Sequence, residues 1–170
     1  MTSLGDSSAS QPVACAGAVL LWPFLQTFCA RISPSGDETE AGRAMALNSF
    51  GVPPAVLDSP EGGLLRRLFG VSAGFRFDAL PAPTPKAIDL RREILRAVAA
   101  QWPGLGETSP EAVWETFVVR QALLQTAGDD GADHLTVEGN TYDMLLDRVP
   151  WSIATVNLRW MDRPLHVTWR

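Results

Sequence analysis

Thirteen prolines, spread along almost the whole of this 170-residue chain, set the strongest limit on what it can fold into. Proline lacks a backbone N–H, and its ring clashes with the helical turn before it. A helix therefore starts at a proline or stops short of one. Pro23 lies inside the first apolar run. Pro53-Pro54 and Pro60 punctuate the next, and Pro81, Pro83 and Pro85 crowd one connection. Pro103 and Pro110 close and open the two strongest helical patterns. Even all 170 residues as one helix would reach only about 255 Å. The prolines forbid that rod, and no heptad pattern supports a coiled coil. The chain must fold as short elements packed on one another.

Packing needs apolar side chains, and at 46% hydrophobic and 19% charged the sequence supplies enough for a core. A domain near this size buries roughly 70% of the surface its unfolded chain exposes. A net charge of −5 removes the basic footprint of nucleic-acid binding. Residues 1–10 are small and serine-rich and are expected to be disordered. Residues 11–170 are expected to form a single compact α+β domain. The stretch 71–85 is its only candidate internal linker, with Phe75 and Phe77 tacking it onto the body.

The local patterns predict about four to five helices followed by a small C-terminal antiparallel β-sheet. Residues 12–32 read as an apolar helix bent or broken at Pro23. A second helix begins at Asp37 or Glu38 and runs through Leu47. Ser59-Pro60-Glu61 caps a short helix that ends at Gly70. Lys86 to Trp102 carries the clearest stripe, Ile94, Leu95, Val98 and Trp102. Ser109-Pro110-Glu111 starts a helix predicted to bury Val113, Trp114, Phe117, Val118, Gln121 and Leu124. Leu135 and Val137 mark a strand, and Tyr142 to Asp147 is either a short helix or an extended run. Val156, Leu158 and Trp160 alternate with polar residues, as do Leu165, Val167 and Trp169. Two such runs split by Met161 to Pro164 predict a closing β-hairpin.

Chemistry is sparse. Gly70-Val71-Ser72-Ala73-Gly74 has the spacing of a nucleophile elbow, which needs a strand-to-helix turn above a parallel sheet. Nothing around Ser72 predicts that context, so a small serine hydrolase is an alternative only. His134 and His166 sit on the polar sides of predicted strands, with no ligand set to complete a metal site. Asp129, Asp130 and Asp133 do not match a calcium loop. No catalytic, cofactor-binding or metal residue is assigned. Cys15 and Cys29 would stand about 21 Å apart on one helix, beyond disulfide reach, and are expected to be free thiols. The charge-free run after Pro12 has an apolar centre of only about fourteen residues, short of the roughly 20 that span a bilayer. A membrane-associated adaptor held by residues 12–32 is therefore a second alternative. No lysine or arginine precedes Arg31, so no secretory signal is supported and a cytoplasmic location is expected.

The six tryptophans point to packing or docking. Trp160 and Trp169 fall on the apolar faces of the predicted hairpin. Trp151 precedes the strand proper and is the best candidate for a contact with another chain. Trp22, Met161 and Arg159 complete the candidate protein-interaction set.

Three passages carry a resemblance. They are Ala16 to Leu25 with its Trp22-Pro23, the Gln101 to Ser109 junction, and the tail from Asp143 through Pro150-Trp151-Ser152-Ile153 and Arg159-Trp160-Met161 to His166-Val167-Thr168-Trp169. Together these resemble the shared region of contractile injection system tape measure proteins, components of phage-tail-like bacterial particles. The likeness covers residues 13–170 in order. It implies a role in assembling the injection tube and setting its length, with no enzyme activity and no cofactor. The implied partners are tube, baseplate or spike proteins, with homo-oligomerisation and no nucleic acid.

Overall fold

A computed structural model describes residues 9–126 and 130–170. Residues 1–8 of the segment expected to be disordered lie outside the described residues, as does Asp129 of the acidic turn. The fold is α+β, as expected, but its sheet is larger than a closing hairpin. Strands β1 (Ser10–Val13), β2 (Ala122–Gln125), β3 (Asp133–Val137), β4 (Thr155–Val156) and β5 (Leu165–Trp169) form one mixed sheet in the order β1-β2-β3-β5-β4. All pairs are antiparallel except β3 and β5, which run parallel with His134 opposite His166. The helices are α1 (Trp22–Ile32), α2 (Glu40–Asn48), α3 (Pro54–Leu57), α4 (Gly63–Phe69), α5 (Pro85–Gln101) and α6 (Pro110–Val113).

Three expectations are corrected. Residues 12–32 are not one bent helix. They divide into the end of β1, a wholly buried 3-10 segment Ala16–Leu21, and α1. Cys15, at φ 54°, makes the turn out of the strand. Pro23 falls in the first turn of α1, where its missing N–H costs nothing, so Trp22-Pro23 opens a helix instead of kinking one.

The helix expected from Pro110 through Leu124 stops early. It passes from α6 into a π turn at Trp114–Val118, and the chain then becomes β2. Ala122 and Leu124 face the core while Leu123 faces out, a period of two. Pairing with strands on both sides overrides a local pattern that suits helix or strand equally.

The closing hairpin is shorter than its alternation suggests. Only Thr155–Val156 pairs with β5, and Leu158 to Met161 forms a turn. Pro150 to Ile153 lies outside the strands. On its other side β5 finds β3, which the 3-10 segment Thr141–Arg148 separates from it in sequence.

One sheet face is buried through Val13, Ala122, Leu124, Leu135, Val137, Leu165 and Val167. The helices supply the rest of the core. Helix α5 packs on α1 and α6, and α2 packs on α1 and α4. Trp102, at the end of α5, is fully buried with its ring centroid 4.7 Å from that of Phe117. The stretch 71–85 is strapped down by Phe77, also fully buried, against Phe75.

Candidate interaction surfaces

The C-terminal segment folds back over the N-terminal helices and is tied there by indole N–H groups. The Nε1 of Trp151 donates to the carbonyl of Leu20 at 3.0 Å, and the Nε1 of Trp22 donates to the carbonyl of Ser152 at 2.8 Å. Phe24 meets the Trp151 ring edge-on at 5.3 Å. The two tryptophans thus form a reciprocal clasp across some 130 residues of sequence. Trp160 donates to the carbonyl of Leu68 at 2.8 Å, and the Arg43 guanidinium stacks over its ring at 5.4 Å. Beside it, Arg159 binds the carboxylate of Asp37 at 2.5 Å, and Met161 Sδ accepts the N–H of Leu158. All four candidate interaction residues therefore lie on or against this returning segment. Trp22, Trp151 and Met161 are half-buried and Arg159 is exposed. Gly70 makes the close approach possible. Its φ is +62°, and a Cβ there would stand 2.6 Å from Trp160 Cδ1.

Two buried arginines hold the connections. Arg66 donates to the carbonyls of Leu57, Ser72 and Phe75 at 2.6, 2.7 and 2.7 Å and pairs with Asp58. Arg120 grips both Asp143 oxygens at 2.8 Å and the carbonyl of Glu138 at 2.6 Å. Burial pushes the Asp143 carboxyl up, but the bonds from Arg120 and the Asn140 N–H outweigh it and hold its pKa below the usual range. Asp58 is likewise lowered. Burial opposes the shift, and the N–H groups of Phe77 and Asp78 with Arg76 and Arg66 overcome it. The sequence carried no signal for these roles, because the partners of both arginines include loop carbonyls brought together only by the fold.

Ser72 follows a helix end, and its Oγ and N–H both donate to Glu40 at 2.6 and 2.8 Å. Those bonds lower the pKa of Glu40. His134 and His166 stand side by side on the uncovered sheet face, with ring centroids 5.4 Å apart. Asp130 lies 3.0 Å from His134 Nε2, and Thr155 Oγ1 lies 3.2 Å from His166 Nδ1. Asp133 is buried and joined to Arg67. Among the described residues no cluster of three or more histidine, cysteine or acidic groups is arranged to hold a metal. Cys15 and Cys29 are free. Burial pushes the Cys29 thiol up to about 12, which keeps it protonated and unreactive. Among the described residues no helix is long and apolar enough to cross a membrane.

The outer surface has two apolar features that sequence reasoning missed. One is a groove of about 160 Å³ where α1, α2, the proline-rich stretch and the start of α5 meet, lined by Met45, Leu80, Pro83, Ala87 and Leu90. The other is the 3-10 segment Thr141–Arg148, where Met144 is 74% and Tyr142 56% exposed.

Short elements laced by long-range ties, with apolar features left outside, make up this α+β fold. Over residues 3–169 the chain matches the family described as contractile injection system tape measure protein, and it belongs to that family. It is therefore of a structural family of contractile injection systems. No curated protein and no solved structure matches it.

Proposed function

We propose that this chain is a non-enzymatic assembly protein of a contractile injection particle, which helps build the tube or set its length through protein–protein contacts. The observation that carries this is the family match across nearly the whole chain. Tube, baseplate or spike proteins are its partners, and it acts as a homo-oligomer. It works in the cytoplasm during assembly, as a component of the particle being built. Trp151, Trp22, Met161 and Arg159 offer their outward surfaces to those partners.

The architecture narrows the role. A ruler must span what it measures, and the longest helix among the described residues, α5 at 17 residues, extends only about 25 Å. This folded unit therefore suits an anchoring or nucleating contact at one end of the tube better than the measuring itself. Deleting its gene in the native host and imaging the particles by electron microscopy tests the role. We expect few particles, or tubes of widely scattered length. Normal yield and a normal length distribution would contradict it.

A further inference from the structure

The groove and the exposed methionine sit at opposite ends of α5. The groove takes Lys86, Ala87 and Leu90 from the first turns of that helix. At its other end Trp102 donates its Nε1 to the carbonyl of Leu145 at 2.8 Å, which fixes the Thr141–Arg148 segment there. Roughly 18 to 24 Å of helix separates the groove residues of α5 from Trp102, so the two features cannot meet within one molecule.

They match in size and in charge. A cavity of about 150 Å³ in another protein's core takes up benzene, so a single methionine-sized side chain fills this groove. In a 3-10 helix, residues three apart eclipse each other with roughly 6 Å between them. Asp147 therefore lies on the same face of its segment as Met144. The only lysine in the chain, Lys86, stands at the rim of the groove. Neither Lys86 nor Asp147 makes an ion pair with any described residue, and Asp89, one turn beyond Lys86, does not close on it. Lys86 also stands in the first turn of α5, where the helix dipole disfavours a cation and an incoming carboxylate is favourable.

We propose that the chain self-associates head to tail: Met144 of one copy enters the Met45–Leu90 groove of the next, and Asp147 pairs with Lys86 across the contact. The two surfaces differ, so the interface is heterologous, and repeating it gives a ring or an open stack in place of a closed two-fold dimer. This builds on the assembly role above, since both products suit a tubular particle.

Sedimentation of the full chain over a rising concentration series tests it. The chain should exceed its 18.4 kDa monomer mass, and with rising concentration should either settle at one ring mass or keep growing as a stack. Met144→Glu and Met45→Glu, both at exposed positions, should each give monomers with unchanged circular dichroism. Mixed together they should form dimers that grow no further, because each variant keeps one working half. Lys86→Glu and Asp147→Lys should each weaken association at least several-fold, and the double exchange should restore it. A wild type that stays monomeric, or a mixture that fails to pair, would overturn the proposal without touching the particle role. A chain that stacks as described yet never accompanies the particle would overturn that role and leave the interface standing.

Discussion

The returning C-terminal segment and the two ends of α5 both display large apolar side chains, yet they are finished differently. Trp22, Trp151 and Trp160 each pair an apolar ring with an N–H bond to a distant backbone carbonyl. Such a side chain is a fastener, because leaving either the ring or the carbonyl unpaired costs energy. Met144 and Met45 carry no N–H or O–H to satisfy, and they are left 74% and 46% exposed. The lesson is that bulk alone does not mark a docking residue. A fastener's polar atoms are already used inside the chain, so only its outward ring face is left for a partner.

The comparison breaks most readily at the fasteners. Arg120→Ala should be the most damaging change. It leaves the Asp143 carboxylate and the Glu138 carbonyl without their partner, and a loss of about 3–5 kcal/mol is expected in urea unfolding. Gly70→Ala should follow at roughly 1–3 kcal/mol, from the left-handed φ and the collision with Trp160. Trp151→Phe keeps the contact with Phe24 but abandons the Leu20 carbonyl, and about 1 kcal/mol is expected. At the other extreme, Leu123→Thr on the uncovered sheet face should fall within about 0.5 kcal/mol of wild type.

Acid should probe the same division. Asp58 and Asp143 have folded-state pKa values below their unfolded ones. Their contribution is fully present above the unfolded carboxylate value of about 3.9 and is lost as pH falls through the folded values beneath it. Stability should therefore drop below about pH 4, and Asp143→Asn should flatten part of that slope. A melting temperature unchanged down to pH 2.5 (roughly, well under the unfolded Asp value) would remove the carboxylates from the account.

Much of the fold was legible because proline and capping chemistry act locally. Ser109-Pro110 begins a helix where the sequence places it, its hydroxyl accepting the N–H of Ala112, and α5 begins at Pro85, one residue ahead of the expected Lys86, with Thr84 as its cap. Gly70 ends α4 in the left-handed conformation expected of a helix-terminating glycine. The misses are non-local. Four residues at Ser10–Val13 and four at Ala122–Gln125 become strands only because each finds the other across the chain. The parallel β3–β5 pair likewise depends on where Thr141–Arg148 deposits the closing segment. Among the candidate interaction residues, sequence placed Trp151 outside a strand, which holds. It could not foresee that Trp22 would hold the adjacent Ser152 carbonyl.

The central claim is that this polypeptide acts as a structural part of an injection particle, through its surface. Its most direct test is to tag the chain in its native host, purify it under mild conditions and quantify what accompanies it by mass spectrometry. Tube, baseplate or spike proteins should accompany the chain in a fixed ratio, and should be lost when the particle genes are deleted. Recovery of the chain with none of those proteins, at every stage of particle assembly, would contradict it.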